Sequence, residues 1–232
     1  MNKVALRVEG LTKSFTLHGL NKTIEACRDV SFHVAQGEFV GITGRSGSGK
    51  STVLKLIYRT YLPQDGLIEY NSGAHGMLDL ARADERTILS LRRTEIGYVS
   101  QFLRVVPRIT AREIVEMAMR ETGAEAALAS EEAARLLSHF ELPESLWESF
   151  PQTFSGGEKL RLNVARAMIK RPRILLLDEP TASLDEYSKA KVRELLSQLK
   201  DQGTTMLGIF HDLAFMEGVC DREFAMQHGE MH

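Results

Sequence analysis

At 232 residues the chain is long enough for one large domain with a buried core, or for a core domain carrying a smaller inserted lobe. A net charge of −2 with both signs interspersed offers no electrostatic case for a nucleic acid as the main partner, while leaving small phosphate ligands open. Cys27 and Cys220 are the only cysteines and stand far apart without metal-ligand neighbours, which suggests neither a disulfide framework nor a zinc site and fits reduced structural thiols in a cytoplasmic protein. The opening MNKVALRVEGLTKSF lacks the apolar core of a signal peptide, and no run approaches the roughly 18 apolar residues that span a bilayer. Direct membrane insertion is therefore not expected, and any membrane association should come through a partner.

In chain order, the first 35 residues alternate apolar and polar positions (KVALRVEG, then CRDVSFHV), predicting a small antiparallel sheet. EFVGIT (38 to 43), IGYVS (96 to 100), ILLLD (174 to 178) and TMLGIF (205 to 210) are continuously apolar, as strands of a parallel sheet covered on both faces are. Helical patterns follow three of them: 50 to 61, 186 to 202 with Val192, Leu195, Leu196 and Leu199 on one face and a stop at Gly203, and a short helix after Asp212. Residues 71 to 86 read as the least ordered loop. From about 103 to 170 the texture is helical and rich in Ala, Glu and Leu, with breaks at Gly123, Pro143 and Pro151. The expectation is an α/β domain over 1–232 with a helical lobe inserted at about 103–170.

Two stretches invite an anion. GRSGSGKS (44 to 51) fits the Walker A pattern between a strand and a helix. Gly44, Ser46, Gly47 and Gly49 let the backbone wrap phosphates, Lys50 reaches the β and γ phosphates, the Ser51 hydroxyl can ligate Mg²⁺, and Thr52 follows in the first helical turn. Asp178, ending a buried apolar strand, needs a compensating cation and is the expected Mg²⁺ partner through water. Glu179 is placed to act as general base on a water; a plain Asp-Glu pair closing a strand is the bland alternative. The second stretch, TFSGGEKLRLNVAR (153 to 166), puts Ser155, Gly156 and Gly157 at the start of an amphipathic helix, another anion-binding turn. Either the helical lobe folds back over the nucleotide, or this turn caps the nucleotide of another subunit.

GRSGSGKST, Gln101, FSGGE, LLLDEP, SLD and His211, in that order, resemble an ATP-binding cassette of the ABC ATPase superfamily along essentially the whole chain. The resemblance implies a P-loop NTPase fold, with an N-terminal antiparallel subdomain and an inserted helical subdomain. It also implies two cassettes paired head to tail, as a homodimer or with a related subunit, the Ser-Gly-Gly turn of each completing the ATP site of the other. By position, Gln101 would contact Mg²⁺ or the attacking water, Asp185 would cross the dimer interface, and His211 would hold the γ-phosphate. Phe15 stands near the place of an adenine-stacking aromatic, with loop packing as the alternative reading. Phe154 and Glu158 depart from the commoner Leu and Gln; a carboxylate at 158 suits a helix N-terminus but should weaken closure on a polyphosphate.

More finely, IYRTYLPQDG, YVSQFLRVVPRIT, LPESLWESFPQTFSGGE, DEPTASLD and GIFHD resemble the ATP-binding L subunits of bacterial carbon-phosphorus lyase systems. That implies soluble phosphonate-processing enzymes as partners, in the step where ATP and a phosphonate give a ribose 1-phosphonate 5-triphosphate with loss of adenine. The ATP-binding subunit of a membrane transporter, of the lipoprotein or macrolide exporter type, is the alternative. A cassette acting on DNA or the ribosome is a third, disfavoured by the lack of basic arms.

Overall fold

A computed structural model describes residues 3–231 except 18, 20, 21, 101–106 and 183. The alternating N-terminal segments form β1 (Val4–Leu17) and β2 (Lys22–Ala35), paired antiparallel. The central strands β3 (Phe39–Thr43), β6 (Ile96–Val99), β7 (Ile174–Asp178) and β8 (Thr205–Ile209) coincide with the four apolar runs to within a residue at either end. With β9 (Arg222–Gln227) and the two-residue edge strand β10 (Glu230–Met231) they form a six-stranded sheet, ordered β10-β9-β3-β8-β7-β6 and parallel except at β10.

Every residue of β3, β7 and β8 is buried, because this sheet feeds two cores at once. Leu175 and Leu177 join Phe39, Leu162 and Leu196 on the face covered by the later helices. Ile174 and Leu176 join Val40, Ile42, Val53 and Leu54 on the face covered by the antiparallel sheet and the first helix.

The helices are α1 (Lys50–Ile57), α2 (Glu85–Thr94), α3 (Ala111–Arg120), α4 (Ala126–His139), α5 (Gly156–Met168), α6 (Glu186–Asp201) and the single turn α7 (Leu213–Met216). The described part of 103–170 holds α3, α4, α5 and two short helical turns, with no strand among the described residues. Thr110 and Glu113 form a capping box on α3, and Gly123, at φ +95, closes the turn after it. Buried Val192, Leu195, Leu196 and Leu199 hold α6 against the sheet.

Two local expectations need correction. Helix α1 stops at Ile57 instead of continuing to Tyr61, because Arg59 takes a left-handed φ of +63 and its guanidinium is drawn to the Leu80 and Ala83 carbonyls at 2.9 and 3.3 Å. Residues 71 to 86 are not a loose loop. β4 (Asp65–Ser72) pairs with β1, turns into β5 (Gly76–Asp79), and is followed by α2, whose cap Asp84 accepts from Thr87 N at 2.9 Å. The organiser is remote: the buried Glu95 carboxylate accepts from Tyr70 OH (3.2 Å), Ser72 Oγ (2.9 Å), Gly73 N (3.0 Å) and Ala74 N (3.2 Å). Burial alone would raise the Glu95 pKa, but these donors outweigh it and hold the pKa below the ordinary value.

Candidate nucleotide site

The site is built where adjacent parallel strands end. In the order β3-β8-β7, the loop after β3 is GRSGSGKS, β7 ends on Asp178 followed by Glu179, and His211 lies just past β8. The carboxyl edge of a parallel sheet is where α/β folds place ligands.

Gly44, Gly47 and Gly49 all carry positive φ, at 139, 78 and 105. At two of them space is also exhausted: a Cβ on Gly44 would stand 2.1 Å from the Met226 carbonyl oxygen, and one on Gly49 would stand 1.8 Å from that of Ala26. Gly49→Ala is therefore expected to cost about 3 kcal/mol, read as a fall of roughly 6–12 °C in Tm. An unchanged Tm would mean that the loop can move away from β2. Gly49 caps α1 without a side-chain bond, and the first turn of α1 holds no acidic residue, so the positive end of the helix is available to an anion, although the Thr52 N–H donates to the Gly49 carbonyl at 2.9 Å.

The remaining polar groups fit a polyphosphate. Lys50 is buried and donates to the Gly44 and Arg45 carbonyls at 2.7 and 2.9 Å. Burial lowers its pKa, with Glu179 and Asp178 acting in the opposite direction. Ser48 Oγ is buried within the loop with no hydrogen-bond partner among the described residues, an orphan that a phosphate oxygen would satisfy. Asp178, 8% exposed, accepts from Ser51 Oγ at 2.8 Å and from Tyr98 OH at 2.6 Å. Oxygen donors from a carboxylate and a neighbouring hydroxyl suit a hard cation such as Mg²⁺. Glu179, at a left-handed φ of +52, brings Oε1 within 2.7 Å of His211 Nε2.

The other expected residues stand apart from this cluster. Ser155 caps α5 in a reciprocal box: its hydroxyl accepts from Glu158 N at 3.3 Å, and its own N–H donates to Glu158 Oε2 at 2.7 Å. Glu158 thus holds the turn, while Gly156 and Gly157 form the first helical residues after it. Asp185 caps α6, accepting from Ser188 N at 2.7 Å, and that bond lowers its pKa. Phe15 sits edge-on to Tyr61 at 5.1 Å with Lys13 at 5.3 Å from its ring, the packing arrangement held open above. Gln101 lies outside the described residues. Burial pushes the Cys27 and Cys220 thiols up to about 12, in keeping with structural roles. Phe154 is buried in the core beside the lobe.

Sequence reasoning missed Tyr98, Ser48 and Asn163. The signal for Tyr98 was available, as the one side chain with a hydroxyl inside the apolar run IGYV. Asn163, whose side chain donates to the Ser100 carbonyl at 3.0 Å, was the lone polar residue within LNVA on the buried face of α5.

A family model described as ABC transporter matches residues 27–182. The chain belongs to the ABC transporter ATP-binding cassette family. The cassette is 34% identical to the lipoprotein-releasing system ATP-binding protein LolD 2 of Chlorobium chlorochromatii, over 97% of this chain and 92% of that protein. It is 32% identical to the methionine import ATP-binding protein MetN of Streptococcus mutans, over the whole of this chain and 64% of that one. A solved dimeric ATP-binding cassette in a post-hydrolysis state, bound to ADP and Pi, superposes with a TM-score of 0.88 at 29% identity, covering 98% of this cassette and 96% of that chain. The mixed α/β architecture with its antiparallel subdomain is that of these neighbours, and cassettes of this family bind ATP.

Proposed function

We propose that the cassette, acting as one unit over residues 1–232, binds ATP with Mg²⁺ and hydrolyses it between two cassettes to drive a partner. The observation that carries this is the junction of Ser51, Tyr98 and the buried Asp178 beside the Lys50 loop, with the Glu179–His211 pair at its edge. In this reading Gly44, Ser46, Gly47 and Gly49 cradle the phosphates, Lys50 exchanges two neutral carbonyls for phosphate oxygens, and Thr52 helps present the first-turn donors. Ser51, Asp178 and Gln101 hold Mg²⁺, which supplies neutralisation of the β and γ phosphates. Glu179 takes the proton of the attacking water, a contribution of about 10²–10⁴-fold. His211 orients that carboxylate and faces the γ-phosphate. Ser155, Gly156, Gly157 and Asp185 act across the dimer, while Phe15 lies against the base.

The relatives' names support a membrane permease as the partner, with the cassette held at the cytoplasmic face through it. Among the described residues no helix is long and apolar enough to cross a membrane. A groove of about 330 Å³ between α2, β6 and the helical lobe, lined by Tyr58, Arg92, Tyr98, Met117, Arg166 and Lys170, is the place for a partner segment. A second reading, soluble phosphonate-processing enzymes as partners in making a ribose 1-phosphonate 5-triphosphate, is favoured by the particular segments YVSQFLRVVPRIT and LPESLWESFPQTFSGGE. Tagged cassette recovered from native cells grown on a phosphonate as sole phosphorus source separates the two. A transmembrane protein recovered only with detergent is the expected result for the permease. Stoichiometric soluble phosphonate enzymes without detergent would displace it in favour of the second reading.

A further inference from the structure

Helix α5 has a mixed duty. It begins at the turn proposed to cap the ATP of a neighbouring cassette, and its inner face is packed with Leu160, Leu162, Val164, Ala165 and Ala167. Among them lies one polar side chain, Asn163, 1% exposed. Burying an amide in apolar surroundings is unfavourable unless its hydrogen bonds are made. Only half of that condition is met: Nδ2 donates to the Ser100 carbonyl at 3.0 Å, whereas Oδ1 is buried without a partner among the described residues. A helix stabilised by packing alone would do better with an alanine there, the strongest helix former and free of polar atoms.

The bond lands at an informative place. Ser100 follows the last residue of β6, two positions after Tyr98, whose hydroxyl is bound to Asp178 at 2.6 Å. Asp178 in turn holds Ser51 at 2.8 Å. A contiguous run of contacts therefore leads from the phosphate loop, through Asp178 and Tyr98, along the end of β6, and across the Asn163 amide into α5. Ser155 lies eight residues earlier on the same helix, about 12 Å along its axis.

We infer that Asn163 is a positioning residue: its hydrogen bond to the Ser100 carbonyl makes the placement of the Ser155 turn, which serves the neighbouring ATP, depend on what occupies the cassette's own phosphate loop. The inference rests on the two-cassette reading given above. The Nδ2 bond sets the helix relative to β6, and the unpaired Oδ1 gives the amide a second bond to form when β6 and α5 shift against each other. Coupling of this kind requires an element that both sites bias, and α5 carries the Ser155 turn at its start and the Ser100 contact, through Asn163, in its middle.

The test is ATP hydrolysis by the full chain as a function of ATP concentration, alongside ATP binding at protein concentrations too low for dimerisation and thermal unfolding. Two coupled sites give the unaltered protein a Hill coefficient approaching about two. Asn163→Ala is expected to bring it close to one and to lower the maximal rate several-fold. ATP affinity of the monomer should be unchanged, and Tm should fall by no more than a few degrees, since the substitution removes the Nδ2 bond to the Ser100 carbonyl together with an orphaned oxygen. Asn163→Ser, too short to reach the Ser100 carbonyl, should behave alike and serves if the alanine variant folds poorly. A cooperative wild type with equally cooperative variants overturns the inference and spares the dimer reading, as does a loss confined to Tm. Weakened ATP binding by the monomeric variant overturns it too, by placing the effect within one site. A wild type that hydrolyses ATP without cooperativity or dimerisation removes the two-cassette reading and the inference with it.

Discussion

Glu179→Gln is expected to lower ATP turnover by about 10²–10⁴-fold while leaving ATP bound. The substitution keeps the shape of the side chain and its reach to His211, 2.7 Å away, but removes the basicity that a water would need. Because closure of two cassettes would be resolved by hydrolysis, the same variant should accumulate as an ATP-dependent dimer, visible by size-exclusion chromatography with light scattering. Turnover at the wild-type rate would remove Glu179 from the base role. The left-handed φ of +52 at this residue fits the assignment: such a conformation is unfavourable for a non-glycine and aims the carboxylate off the strand direction set by β7.

Ser155→Arg should abolish hydrolysis and leave ATP binding by the monomer intact. Ser155 is exposed, and its hydrogen bonds among the described residues run to Glu158 rather than to the loop at 44–51. Losing the cap costs about 1 kcal/mol, too little to unfold the domain, so inactivity at near-normal Tm would report a blocked interface. Loss of nucleotide binding by the isolated monomer would instead mean that the turn closes on its own subunit's ATP. Glu158 bears on the same result: its carboxylate occupies the Ser155 N–H that an incoming phosphate oxygen would compete for.

What was legible in the sequence was whatever depends on period and on local backbone chemistry. The strands β3, β7 and β8 announce themselves because burial on both faces demands continuous apolar runs, and the phosphate loop because positive φ at Gly44, Gly47 and Gly49 leaves few residue choices. What escaped was decided by partners distant in the chain. The hairpin of β4 and β5 is gathered around Glu95, and the stop of α1 at Ile57 is joined by an Arg59 bond to Leu80. Tyr98 became a site residue only when β6 was laid beside β7. The motifs named the family.

The phosphate loop is also a joint. Gly49 is pressed on the Ala26 carbonyl of the antiparallel sheet and Gly44 on the Met226 carbonyl of the parallel one, so the loop is wedged between two layers laid down by opposite ends of the chain. Its shape is a property of the assembled fold and not of eight residues. For an engineer, that forbids treating the first 35 residues as a trimmable appendage or the loop as a cassette to be transplanted: removing either wall would release the glycines from the curvature that the two carbonyls impose.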